Sequence, residues 1–140
     1  MTDSFNLKRF VDAQDPLIDQ ISAELAAGKK RTHWMWFVFP QIQGLGHSEM
    51  ARRYAISSVA EAEAYLAHPV LGERLLALTQ IVNALEGRSV EQIFGYPDDL
   101  KFHSSMTLFA HGATDKTPFE EALNKYFGGE ADSGTVKRLP

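Results

Sequence analysis

The sequence contains no cysteine, which removes disulfide frameworks, thiolate zinc sites, iron–sulfur clusters and cysteine nucleophiles together. Long apolar runs are also missing. The longest nearly unbroken one, Trp34 to Phe39, falls far below the about 20 residues that a membrane-spanning helix needs. The opening residues Met1-Thr2-Asp3-Ser4-Phe5 have no basic stretch leading into an apolar one, so no secretory signal is expected. There is no basic excess. Aspartate and glutamate outnumber lysine and arginine by 18 to 14, giving a net charge of −4, and such a field argues against a nucleic-acid partner. The five histidines include no pair three or four residues apart and no His-Glu-x-x-His string, so neither a metal nor a cofactor is expected. Repeats of solenoid length, low-complexity tracts and dividing linkers are absent. These absences leave a cytoplasmic protein with no membrane contact as the expectation.

What is present is the material of one core. A chain of 140 residues with 44% hydrophobic content is a single-domain length, able to bury roughly two-thirds of its unfolded surface without metal or disulfide support. Helical punctuation recurs and the period-two pattern of strands is nearly missing. Leu7, Phe10 and Val11 share one helical face. Asp15-Pro16 reads as an N-cap followed by proline in the first turn. Leu17, Ile18, Ile21 and Leu25 form the next stripe, which Gly28 ends. Ser48 can cap a short helix. Ser58 to Glu61, Ser89 to Gln92 and Thr117 to Glu120 have the spacing of capping boxes. Leu71, Leu75, Leu78, Val82 and Leu85 form a narrow stripe on the longest periodic segment. Phe102, Met106 and Phe109 mark another helix, and Phe119, Leu123, Tyr126 and Phe127 the last. The predicted fold is all-α, one domain over residues 1–140 with about seven or eight short-to-medium helices, and a loose tail over 130–140.

His33-Trp34-Met35-Trp36-Phe37-Val38-Phe39-Pro40 is apolar on every side and must be buried all round or partly open to a ligand. A helix ended by Pro40 is the expectation, followed by a loop with Gly44 and Gly46. This string, together with Gly44-Leu45-Gly46, Tyr54-Ala55-Ile56, Tyr65 to Pro69, Leu71-Gly72 and Lys101 to Phe109, resembles the bacterial domain-of-unknown-function family 1810 from Leu7 to about Thr135. The resemblance implies a mainly α-helical fold and no established activity. The calpastatin label attached to some members does not fit, because that inhibitor is a disordered repeat protein.

Several candidate chemistries can be weighed. Gly44-Leu45-Gly46 fails as a dinucleotide fingerprint, since Glu49 stands in the third glycine's place and no βαβ unit surrounds it. Lys29-Lys30-Arg31 reads as a solvated run at a helix end, and Asp98-Asp99 and Glu120-Glu121 as first-turn carboxylates suited to the helix dipole. On a helix, Lys101 and Ser105 lie one turn apart, which makes a lysine-activated serine conceivable. His33 beside Trp34 and Trp36 combines a titrating imidazole with flat indoles. The leading expectation is therefore a small-ligand site between the His33–Gln41 segment and the start of the Lys101 helix. His33, Lys101 and Ser105 are its candidate catalytic groups, and Trp34, Trp36, Gln41 and Ser104 its ligand-binding ones. Whether binding is followed by chemistry is left open. The competing class is an interaction module presenting an aromatic groove to a peptide or helix of a partner protein. A third alternative, RNA contact through Lys29, Lys30, Arg31, Arg52 and Arg53, is opposed by the acidic total.

Overall fold

Ten helices carry the chain in the computed structural model, which describes residues 3–139. They are α1 (Lys8–Gln14), α2 (Ile18–Ala26), α3 (Met35–Val38), α4 (Glu49–Arg53), α5 (Val59–Ala67), α6 (Leu71–Ala84), α7 (Val90–Phe94), α8 (Asp98–Gly112), α9 (Thr117–Phe127) and α10 (Ser133–Val136). The count exceeds the seven or eight expected because α3, α4, α7 and α10 are pieces of four or five residues. The described residues contain no strand, only one isolated parallel bridge between Ile42 and Ile56, and no helix long and apolar enough to cross a membrane. The first two residues of the N-terminal stretch read for a signal, Met1 and Thr2, and the last of the tail, Pro140, lie outside the described residues.

The leucine stripe of α6 faces inward as its spacing dictates, with Leu71, Leu75, Leu78 and Val82 buried, each such side chain contributing about 1.5–3 kcal/mol on leaving water. Helix α6 packs on α2, α5 and α9. Its junction with α5 is unusually close: a Cβ at Gly72 would lie 2.0 Å from the Leu66 carbonyl oxygen. Two of the free N–H groups at its start, those of Val70 and Leu71, donate to His68 Nδ1 at 3.1 and 3.3 Å, so this histidine is structural, as its place before Pro69 suggests.

Helix α8 packs on α5, α7, α9 and α10. Phe102, Met106, Leu108 and Phe109 are all fully buried along it. The Phe102 ring stacks on Phe94 at 4.6 Å between centroids and meets Phe39 edge-on at 5.1 Å, tying α7 and the α3 segment to the central helix. From the other side, buried Gln14 at the end of α1 donates to the Phe37 carbonyl at 2.6 Å and to the Tyr65 hydroxyl at 3.1 Å. The α3 segment is thereby fixed from both faces.

Local details depart from the sequence expectations where tertiary partners compete for the capping groups. Ser48 and Ser58 cap their helices, and Ser89 with Gln92 forms a full capping box. Glu61 instead accepts from the Ser57 N–H and hydroxyl and pairs with Arg9 at 2.9 Å. Asp15 does not cap α2, because Arg74 holds its carboxylate at 2.8 Å. Thr117 is already inside α9, and its N–H donates to Asp115. The tail expected to be loose is docked. Asp132 accepts from the Ser104 hydroxyl at 3.1 Å and from the Thr135 N–H and hydroxyl at 3.0 and 2.6 Å, and its own N–H donates to Thr107 Oγ1 at 2.9 Å. Polar side chains attach this segment to α8, and Leu139 packs against the core.

Candidate functional site

Pro40 ends α3 and sends the chain outward, and the bridge between Ile42 and Ile56 brings it back. The Ile56 N–H donates to the Gln41 carbonyl at 2.8 Å and the Gln43 N–H to the Ile56 carbonyl at 2.9 Å. Between these anchors the 41–47 loop turns through Gly44, whose φ of +98° suits glycine. Gly46 lies so close to α4 that a Cβ there would sit 2.5 Å from the Ala51 Cβ. The loop is braced from the C-terminal segment, where Arg138 Nη2 donates to the Gly44 carbonyl at 3.2 Å.

Loop, α3, α4 and the first turn of α8 enclose a cleft of about 500 Å³. Its polar lining includes Trp36, Gln41, His47, Arg52 and Lys101, with Gln43 and Tyr54 beside them. The Lys101 ammonium lies 5.3 Å from the centroid of the Trp36 ring, a contact worth about 0.5–1 kcal/mol at a partly exposed position. Asp98 sits behind it, 3.4 Å from Lys101 Nζ and 2.8 Å from Lys30 Nζ. The Lys30 side chain is only 6% exposed. Lys30 is therefore a buried partner of Asp98 rather than part of a solvated run, while Lys29 and Arg31 are exposed. Asp98 correspondingly serves as an ion-pair partner and not only as a favourable first-turn charge.

Trp34 points the other way. It is fully buried, and its Nε1 donates to Glu24 Oε1 at 3.0 Å. Glu24 also accepts from the N–H groups of Arg31 and Thr32, the Thr32 hydroxyl and the Gln20 amide. Burial pushes its carboxyl pKa up, but the bonds from Arg31, Thr32, Gln20 and Trp34 outweigh that and bring it down to about 2. This carboxylate is a fully occupied structural acceptor.

Of the seven residues singled out from sequence, the structure brings together Trp36, Gln41 and Lys101. His33 is exposed and outside the lining. Trp34 belongs to the core, and Ser104 is engaged by the Leu100 carbonyl and Asp132. Ser105 is fully buried and its hydroxyl has no hydrogen-bond partner. Lys101 and Ser105, one turn apart, thus do not form a nucleophile and base: the ammonium is directed to Asp98 and Trp36. Sequence reasoning did not place His47 in the site and named Arg52 only for the RNA alternative. The signal available for both was the Ser48 cap directly after the glycine loop, since a helix starting there must fold back beside it. No group of three histidine, aspartate or glutamate side chains placed to hold a metal occurs among the described residues.

A family model described as protein of unknown function (DUF1810) matches residues 4–139. The chain belongs to this family. A solved structure, the conserved hypothetical protein Rv1873 from Mycobacterium tuberculosis, is 56% identical, with 98% of each chain covered and a TM-score of 0.97. This DUF1810 chain and that mycobacterial protein share the fold over nearly all of their lengths. No curated protein matches the chain.

Proposed function

We propose that this chain is a small-ligand-binding domain whose site is the cleft of Trp36, Gln41, His47, Arg52 and Lys101. The observation that carries the proposal is the placement of Trp36. In a segment whose other residues from Trp34 to Pro40 are buried, this one indole is left partly open and lines a cleft among polar side chains. A concave, mostly preformed site with an apolar wall and a few convergent polar groups is how small molecules are held. The proposal includes a bacterial, cytoplasmic setting, for which the mycobacterial relative supports the source. The interaction-module alternative has its own support in a second cleft, about 470 Å³, where Leu66, Phe119 and Leu76, the last 40% exposed, form an apolar lining.

The test is a thermal-shift screen of small metabolites on the whole chain, repeated on variants. Ligands that raise Tm should lose that effect in Trp36→Leu and Lys101→Met and keep it in His33→Ala, whose side chain lies outside the cleft. Shifts that survive Trp36→Leu and Lys101→Met but vanish in Leu76→Asp would move the site to the second cleft and replace this reading with the interaction module.

A further inference from the structure

Charge is distributed unevenly between the cleft and the rest of the molecule. The chain has 18 acidic against 14 basic side chains, yet the cleft lining contains one lysine, one arginine and one histidine and no aspartate or glutamate. Arg52 is exposed and makes no ion pair among the described residues. Lys101 is paired only in part. Lys30, Asp98 and Lys101 are two cations around one carboxylate, and the shorter contact, 2.8 Å against 3.4 Å, goes to Lys30, whose side chain is almost completely buried. The uncompensated charge of the trio therefore resides on Lys101, which is 25% exposed and stands over Trp36 at the cleft wall. A cleft lined by cations and by no carboxylate favours negative ligands over neutral ones.

We infer that the ligand of this cleft is a small phosphorylated molecule carrying a flat group, its phosphate held by Lys101 and Arg52 and its flat group against the Trp36 indole. The inference rests on the small-ligand reading above and names the ligand class. A phosphate monoester brings close to two negative charges near neutral pH, which suits two cations on one cleft lining. Arginine supplies paired donors to phosphate oxygens and lysine a point charge. His47, on the same lining, adds a further donor. Gln41, in the wall beside Trp36, offers both a donor and an acceptor to the polar edge of the flat group. No bond is made or broken in this proposal.

The experiment uses a matched pair of probes, benzyl phosphate and benzyl alcohol, titrated against the full chain at low ionic strength. Tryptophan fluorescence is the readout, and Trp34→Phe and Trp36→Phe variants assign the signal to one indole. Benzyl phosphate should perturb the Trp36 signal, with an affinity that falls on adding salt. Lys101→Met and Arg52→Met should each weaken it at least about tenfold, while leaving the thermal transition in place. Benzyl alcohol should bind far more weakly and without salt dependence. Equal binding of the two probes, or benzyl phosphate affinity unchanged in both cation variants, would overturn the phosphate assignment and leave the small-ligand cleft standing. No perturbation of Trp36 by either probe, with the metabolite screen also silent, would overturn both.

Discussion

Trp34 and Trp36 stand two residues apart in one apolar string, and the fold uses them in opposite ways. The Trp34 side is closed, with its indole N–H and four further donors converging on Glu24. The Trp36 side is open. Its neighbour Lys101 lines the cleft and shares the one Asp98 carboxylate with Lys30, which is buried over the Trp34 ring. Buried polar groups that are completely paired rigidify a core and specify its shape. Polar groups held at a concave surface with bonding capacity to spare are where a ligand can be recognised. Trp34 is the N-cap of α3 and Trp36 lies within it, so the two indoles leave the backbone toward different sides, and what each side meets sets the contrast.

The most severe way to break the closed side is Glu24→Ala. Removing the acceptor leaves the buried Trp34 N–H and the Thr32 donors without partners, and the expected loss is about 3–5 kcal/mol in urea unfolding. A loss below about 1 kcal/mol would show that water replaces the carboxylate there. The same group sets a pH signature. The folded-state pKa of Glu24 is about 2 and its ordinary value 4.5, so its contribution is complete above pH 4.5 and disappears as the pH falls toward 2. About 3 kcal/mol of acid-sensitive stability follows. Glu24→Gln should flatten the stability profile in that window, and an unchanged acid limb would locate the sensitivity in another carboxylate.

A smaller effect is expected where the tail meets α8. Asp132→Ala removes the acceptor shared by Ser104 and Thr135, and should cost about 1–2 kcal/mol. Amide exchange should accelerate across 132–139 and, through the Arg138 bond to Gly44, in the 41–47 loop. Faster exchange in the tail with a silent loop would show that the two are not mechanically joined.

The open side should show the smallest stability changes. Lys101→Met and Trp36→Leu are expected to shift stability by less than about 1 kcal/mol each, because one loses a partly exposed ion pair and the other a partly exposed ring. A loss above about 3 kcal/mol for either would make the cleft wall part of the core.

How far these differences could be read beforehand depends on the range of the interactions. The α6 stripe, the Ser48 and Ser89 caps and the buried Phe102, Met106 and Phe109 are set by neighbours three or four residues away, and periodicity exposes them. The all-α class follows from such patterns. Trp36, Gln41 and Lys101 were legible as site candidates by residue type and proximity to the aromatic string. The division of labour between Trp34 and Trp36 was not, because Glu24 looks in the sequence like one more charge on an amphipathic helix. The pairing of Lys30 with Asp98 escapes the sequence for the same reason: each has an adequate local explanation, and only the fold brings them within 2.8 Å. The Ser104 and Asp132 contact spans 28 residues, which no helical spacing signals.

The two indole N–H groups give separate signals in an amide-type nitrogen–proton NMR spectrum, and their behaviour on adding benzyl phosphate tests the central claim directly. The Trp36 indole signal should move in a saturable way, together with backbone signals from the 41–47 loop, Arg52 and Lys101, while the Trp34 indole signal, locked on Glu24, stays in place. Saturable shifts confined to Leu66, Leu76 and Phe119, or a Trp34 signal moving as far as that of Trp36, would contradict the assignment of one indole to the scaffold and the other to the site.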